Sequence, residues 1–146
     1  MLLRAEIIHQ KANELVRACG TRDTLRIARE IGIYVRFVDG LENLLGMYTY
    51  RHKERHIILS TRMEDMVTQM VCGHEIGHDT CHRDEAKRRD TLPEFVLFDM
   101  RTSMEYEANA FAAHLVIDDT SLIDGMKQGY DVVQLSAMMG TNINLM

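Results

Sequence analysis

Long apolar runs are missing from this sequence, and cysteine is scarce. No apolar run is long enough to cross a bilayer, and the N-terminal MLLRAEIIHQK has charges where a signal peptide would be apolar. We therefore expect neither a membrane span nor an export signal. The three cysteines are an odd number, which predicts free thiols in a reducing compartment, and hence a cytoplasmic protein.

A basic surplus is missing as well. The formal net charge is −5, and the densest basic run, Arg51 to Arg55, is short and contains a glutamate. Binding to nucleic acid depends on clustered Lys and Arg that contact phosphates. The charge balance therefore argues against direct binding to nucleic acid.

The length of 146 residues, with 46% hydrophobic residues, suits one compact domain. We predict a single domain over 1–146, in which 1–60 form N-terminal helices and a small sheet, 61–117 the metal-site helices, and 118–146 a helical tail. The single proline, Pro93, falls near the end of a charged stretch. The predicted fold class is α+β, with a three-stranded sheet and a mostly helical C-terminal half.

Hydrophobic periodicity and turn residues place the elements along the chain. Gly20 and Gly32 are expected to end two helices, and Ser60 or Thr61 to cap a third. Ser103 either caps the next long helix or lies in its first turn. The predicted elements are helices at 3–18 and 22–31, a strand at 32–39, a hairpin at 45–52 and 55–60, a helix carrying HEIGH, a charged loop at 83–92, a segment at 94–100 that is ambiguous between helix and strand, a helix at 101–116, and short tail helices at 119–127 and 131–139.

The segment VCGHEIGHDTCH contains the pattern H-E-x-x-H at His74, Glu75 and His78. Residues four apart lie on one face of a helix, so both imidazoles can bind one Zn²⁺. Glu75 lies beside that face and can take a proton from water activated by the metal, then pass it to a leaving amine. An apolar stripe continues into this motif, which predicts that the histidines are buried. Its members are Met63, Met66, Val67, Met70 and Val71.

The other polar residues of the segment fit a metal site less well. His82 continues the series of histidines, but a helix rise of ~1.5 Å per residue puts it about 12 Å from His74 along the axis, too far to share one ion. A polar helix end is the favoured interpretation of His82, and a role in orienting a metal ligand or on the substrate side is the alternative. Cys72 and Cys81 are interpreted as packing residues or free thiols. Gly73 and Gly77 are expected to allow close packing against the sheet.

A catalytic zinc needs three protein ligands and an open position, so a third ligand must come from another helix. The best source is SMEYEANAFAAHL, where the helical wheel puts Glu105 beside the apolar face. Glu107 falls opposite, with Ala110 and His114, and is predicted to face solvent. Asn109, one turn beyond Glu105, could orient a metal ligand or be a partly exposed polar residue.

The sequence resembles the ImmA/IrrE family of metallopeptidases. The resemblance covers IYVRFVD…GMYTYRHKERHIILS, then HEIGH with His82, then EYEANAFAAHLV, whose first glutamate is Glu105 here. It implies a zincin-like fold, one zinc ion per chain, and intracellular endopeptidases of phages and mobile elements that cleave helix-turn-helix repressors. The family often has a proline after the E-A-N helix, where this chain has Val116-Ile117-Asp118. The tail DVVQLSAMMGTNINLM resembles the family's tail, for which packing or docking of substrate is the favoured role.

The leading hypothesis is therefore a cytoplasmic zinc endopeptidase whose partner is a protein substrate, a DNA-binding repressor. A zinc-binding regulator that binds its partner without cutting it is the alternative, and a transcription factor is a third hypothesis that the charge disfavours. An exposed strand of the hairpin could bind the substrate by β-addition. Oxyanion stabilisation is open among several side chains: Tyr48, Tyr50, Tyr106, His82 and His114.

Overall fold

The fold is known from a computed structural model, which describes residues 2–41, 44–89 and 103–118. Over these residues the chain is α+β, with five helices and a three-stranded sheet, which confirms the predicted fold class. The predicted segment at 94–100 and the tail helices lie outside the described residues. In chain order the elements are α1 (Leu2–Cys19), α2 (Thr24–Glu30), β1 (Tyr34–Val38), β2 (Gly46–Arg51), β3 (Glu54–Ser60), α3 (Asp65–Cys81), α4 (Arg83–Arg89) and α5 (Ser103–Val116).

The first two helices end where glycine permits a left-handed backbone. Gly20 has φ +67° directly after α1, and Gly32 has φ +88° just after α2, as the sequence predicted. The carboxylate of Asp23 caps the start of α2 by accepting from the backbone N–H of Leu25 and Arg26. Local sequence therefore sets the length of α2.

The sheet has the order β1–β3–β2. The middle strand, β3, pairs in parallel with β1 and antiparallel with β2. The tight turn between β2 and β3 uses His52 and Lys53, both at positive φ, which matches the twist of a two-residue hairpin. Ile57 and Leu59 of β3 and Tyr48 of β2 are fully buried beneath the helices.

Helix α3 is the central element, and it packs against α5, α2 and the sheet. Its buried surface extends almost all round the helix from Val67 to Asp79. Gly73 and Gly77 face α5, not the sheet as expected: a Cβ on Gly77 would lie 3.1 Å from the Cα of Ala108, and one on Gly73 would lie 3.2 Å from the Cβ of Ala112. Small residues on both helices thus bring α3 and α5 close together.

Three local predictions were wrong. The capping residue of α3 is Glu64 and not Ser60 or Thr61, because Ser60 belongs to β3. Met66 of the apolar stripe is 50% exposed, since it lies in the first turn of α3. The charged loop at 83–92 contains helix α4, where the fully buried Ala86 anchors an otherwise charged turn to the core.

The face of α5 that was predicted to meet solvent is also covered. Ala110 and His114 are 8% and 7% exposed. Helix α1 packs against α5, and the ring of His9 lies 4.5 Å from that of His114. A helical wheel shows one apolar face, but it does not show that a second helix covers the opposite face.

Candidate metal centre

Two helices bring the predicted metal ligands together. His74 and His78 are one turn apart on α3, and Glu105 lies in the first turn of α5. Nε2 of His74 is 3.0 Å from Oε2 of Glu105, and Nε2 of His78 is 3.0 Å from Oε1. One carboxylate therefore contacts both imidazoles, with one oxygen for each ring. All three residues are at most 2% exposed.

Glu75 completes the group. Its ligand atoms and those of His74 and His78 lie within 4.8 Å of one another, a cluster that could hold a metal ion. Glu75 is fully buried, and neither of its carboxylate oxygens has a hydrogen-bond partner among the described residues. Buried carboxylates are normally hydrogen-bonded, so this arrangement is costly for folding.

The ionisation of the metal-free site follows from burial and mutual charge. Burial raises the pKa of Glu75 from 4.5 to about 8 and lowers the pKa of His78 to about 4. Burial works against ionisation of Glu105 too, but the two imidazoles beside it outweigh this and hold its pKa at about 2. Burial alone would lower the pKa of His74, but the neighbouring Glu105 and Glu75 outweigh burial, so the pKa of His74 is raised. The contact between His74 and Glu105 thus favours the charged forms of both groups, whereas burial disfavours the charged forms of Glu75 and His78.

The donor set fits a divalent cation. Nδ1 of His74 is 2.8 Å from Oδ1 of Asn109, a carbonyl oxygen that can only accept, so Nδ1 carries the proton. Nε2 of His74 therefore faces the Glu105 carboxylate with either a second proton or a lone pair, and a cation between the two groups can take the place of that proton. Two imidazoles and one carboxylate are also a ligand set of catalytic zinc sites.

Asn109 contacts His74 and is only 1% exposed, so it is not the partly exposed polar residue that was considered as an alternative. His82 lies at the end of α3, as interpreted above, but it is buried at 6% exposure, with Nδ1 2.9 Å from Nδ1 of His78. Glu107, predicted to face solvent, lies 2.8 Å from Nε2 of His82 and has a side chain only 18% exposed. The wheel missed this contact because His82 comes from another helix.

A second polar cluster adjoins the metal site. Asp79, directly after His78, is 1% exposed, and its carboxylate accepts from the hydroxyl of Tyr48, from Nη1 of Arg55 at 2.8 Å and from Nη2 of Arg83 at 3.1 Å. Sequence reasoning missed Asp79, since its partners come from β2, β3 and α4. Burial and the adjacent Asp79 raise the pKa of Tyr48, so its hydroxyl stays protonated.

The structure also shows the surroundings of the tyrosines and cysteines that the sequence analysis considered. Tyr48 is ruled out as an oxyanion donor because its hydroxyl is bonded to Asp79. Tyr106 is 46% exposed, and the ring of Tyr50 lies 5.0 Å from Nζ of Lys87. Cys72 and Cys81 do not form a disulfide, and burial raises the pKa of Cys72 to about 12, so Cys72 is an inert packing residue. None of the helices in the described part of the chain combines the length and apolarity that crossing a membrane requires.

The sequence is similar to known proteins over most of its length. The model of the Peptidase_M78 family, described as the IrrE N-terminal-like domain, matches residues 28–141. A relative, "Uncharacterized immunity region protein 2" of Bacillus phage phi105, is 24% identical over 141 residues, which cover 95% of this chain and 86% of the relative. The match includes both helices of the metal centre, and the chain belongs to the IrrE N-terminal-like family of metallopeptidases.

Proposed function

We propose that the protein is a zinc-dependent endopeptidase in which His74, His78 and Glu105 hold the metal and Glu75 is the general base and acid. The observation that carries this proposal is the convergence of both Nε2 atoms on the Glu105 carboxylate, next to a buried Glu75 that has no hydrogen bond within the described residues. When bound, zinc supplies Lewis-acid chemistry, which polarises a carbonyl group and makes water more acidic.

Glu75 performs the proton transfers. Its carboxylate takes a proton from the water molecule that attacks the scissile carbonyl carbon, and the bond between that carbon and the amide nitrogen then breaks. The same carboxyl group donates the proton to the leaving amine, which returns Glu75 to its starting state. Asn109 supports this chemistry by fixing the proton of His74 on Nδ1, which leaves Nε2 free to bind metal.

The edge strand β2 is the best place for a peptide to bind. Strand β3 is paired on both sides, whereas no strand of the described residues pairs with the outer side of β2. The hydroxyl of Tyr48 in β2 bonds Asp79, the residue after His78, so this edge is fixed to the active-site helix. An extended substrate could add to β2 through backbone hydrogen bonds.

A helix-turn-helix repressor is the proposed substrate. Two observations support it: the resemblance to repressor-cleaving peptidases, and the name of the phage phi105 relative, which places that protein in an immunity region. A DNA-binding repressor is a cytoplasmic protein, so the proposed activity is cytoplasmic.

The test compares the native protein with Glu75→Gln on a repressor encoded beside the gene. Native protein should bind one zinc ion per chain and cleave the repressor, with the new N-terminus identified by mass spectrometry. Glu75→Gln should keep its zinc and lose about 10²–10⁴-fold in cleavage rate. Glu6→Gln, which changes an exposed glutamate on α1, is the matched control. Equal cleavage by Glu75→Gln and native protein would refute the mechanism. A stable complex of zinc-loaded protein and intact repressor would favour the non-cleaving regulator.

A further inference from the structure

A row of side chains in contact with one another leads away from the metal centre through His78. Nδ1 of His78 lies 2.9 Å from Nδ1 of His82, and Nε2 of His82 lies 2.8 Å from Oε1 of Glu107. His78 and His82 are 0% and 6% exposed, and the Glu107 side chain is 18% exposed. This row of side chains thus connects a buried metal ligand to a carboxylate near the surface.

The end of helix α3 makes the contact between the histidines possible. His82 follows the last helical residue, Cys81, and has left the helical conformation, with φ −129° and ψ 26°. Its backbone N–H still donates to the carbonyl oxygen of His78 at 2.8 Å. The ring can therefore turn back onto the ring of His78 while the main chain leaves the helix.

The hydrogen-bond chemistry allows one arrangement of protons. If Nε2 of His78 binds a metal, its proton must be on Nδ1, from which it donates to Nδ1 of His82. A neutral His82 that accepts at Nδ1 carries its own proton on Nε2. That proton is donated to Glu107, whose ionised carboxylate can only accept. His78, His82 and Glu107 then each have the hydrogen-bond partner that their protonation state requires.

The two histidine ligands are thus supported differently. His74 donates to the neutral amide oxygen of Asn109, whereas His78 is linked through His82 to a carboxylate. A carboxylate behind a metal-bound histidine fixes the ring and makes its nitrogen a stronger ligand. Here a second imidazole transmits that influence.

We propose that His82 and Glu107 are positioning residues that hold His78 in the metal-binding tautomer and strengthen its bond to zinc. The inference rests on the metal site of the proposed function but not on proteolysis. A merely structural role, in which His82 and Glu107 tie the end of α3 to α5, would instead affect folding stability without affecting zinc affinity.

The test measures zinc affinity by competition with a chromophoric chelator, and the urea midpoint of each metal-free variant in parallel. His82→Leu removes both hydrogen bonds and should weaken zinc binding about 10–100-fold. Glu107→Gln keeps an accepting oxygen but loses the charge, so its loss should be smaller, below about tenfold. His82→Gln can accept from His78 and donate to Glu107, so it should recover most of the affinity. Glu6→Gln, an exposed change, should match native protein.

A spectroscopic measurement checks the proton positions separately. In zinc-loaded protein, ¹⁵N spectra of the histidine rings should show His82 neutral, with its proton on Nε2. A proton on Nδ1 of His82, or native zinc affinity in His82→Leu, would overturn the proposal. So would urea midpoints that fall while zinc affinity stays unchanged. Tight zinc binding without cleavage of any repressor would refute the proposed function and leave this inference intact.

Discussion

His78 and Asp79 are neighbours on α3, yet they belong to polar clusters of opposite character. Asp79 is surrounded by donors from three other elements, Tyr48, Arg55 and Arg83. One turn earlier on α3, Glu75 is equally buried but has no hydrogen-bond partner within the described residues. His74 and His78 both face a carboxylate across 3.0 Å.

This difference separates the Asp79 cluster, which stabilises the fold, from the cluster of His74, Glu75 and His78, for which a function is proposed. The three hydrogen bonds that the buried Asp79 carboxylate accepts offset the cost of its desolvation, and they join β2, β3 and α4 to α3. A buried carboxylate without donors costs stability, and such costs concentrate at functional sites. The Asp79 cluster therefore supplies part of the stability that offsets the burial of Glu75 without a hydrogen bond.

Zinc binding should change the free energy of unfolding most, and this change should depend only on the residues of the metal centre. With free zinc at 1,000 times its dissociation constant, native protein should gain about 4 kcal/mol of unfolding free energy. Glu105→Ala, which removes a ligand, should lose most of this gain. Asp79→Asn should keep it, even though Asp79 adjoins His78. Urea unfolding with zinc and with chelator measures all three. A zinc response in Glu105→Ala as large as in native protein would contradict the assigned ligands.

Asp79→Ala should destabilise the protein strongly, whether or not zinc is bound. Removing one partner of a buried ion pair costs about 3–5 kcal/mol, and the partial exposure of Arg55 and Arg83 puts the expected loss near the lower limit. Asp84→Ala, at an exposed position of α4, is the control and should change stability by less than about 1 kcal/mol. Urea midpoints without metal give both values. A change of similar size in the two variants would remove the distinction between the clusters.

Glu75→Gln, which is expected to slow cleavage, should stabilise the metal-free protein. An acid whose pKa rises from 4.5 to about 8 on folding binds more protons folded than unfolded, so the native fold loses stability as pH rises between those values. Removing the carboxyl group should therefore add about 3 kcal/mol at pH 7 and almost nothing below about pH 4.5. Unfolding curves at several pH values, each against Glu6→Gln, measure this. A gain that does not depend on pH would contradict the burial of an uncompensated carboxyl group.

Gly77→Ala should have the smallest effect on stability, yet it should reach the metal site. A methyl group there meets the backbone of Ala108 at 3.1 Å, so α5 must move, at about 1–3 kcal/mol, against about 1 kcal/mol gained in helix propensity. Because α5 carries Glu105, zinc affinity should fall as well. Chelator competition together with urea unfolding measures both. Unchanged zinc affinity would show that the spacing of α3 and α5 does not set the site.

Local patterns in the sequence were sufficient to predict most of the fold, and to select residues of α3 and α5 that the structure brings together. HEIGH placed two histidines one turn apart, and the phase of α5 distinguished Glu105 from Glu107. Both inferences concern positions on one helix, where periodicity is a reliable guide.

Contacts between elements could not be predicted in the same way. The partners of Asp79 come from β2, β3 and α4, and the burial of Ala110 and His114 depends on α1. Glu107 was assigned to solvent because a helical wheel describes one helix, whereas His82 reaches it from the end of another. Each of these errors comes from tertiary packing that a single element does not encode.

The most direct test of the metal centre is a crystal structure of the zinc-loaded protein with anomalous data at the zinc edge. We predict one peak per chain, bonded to Nε2 of His74, Nε2 of His78 and the carboxylate of Glu105 at about 2.0–2.2 Å, with Glu75 beside the ion but not bonded to it. A zinc ion bonded to Glu75 in place of Glu105, or no peak between α3 and α5, would contradict this account.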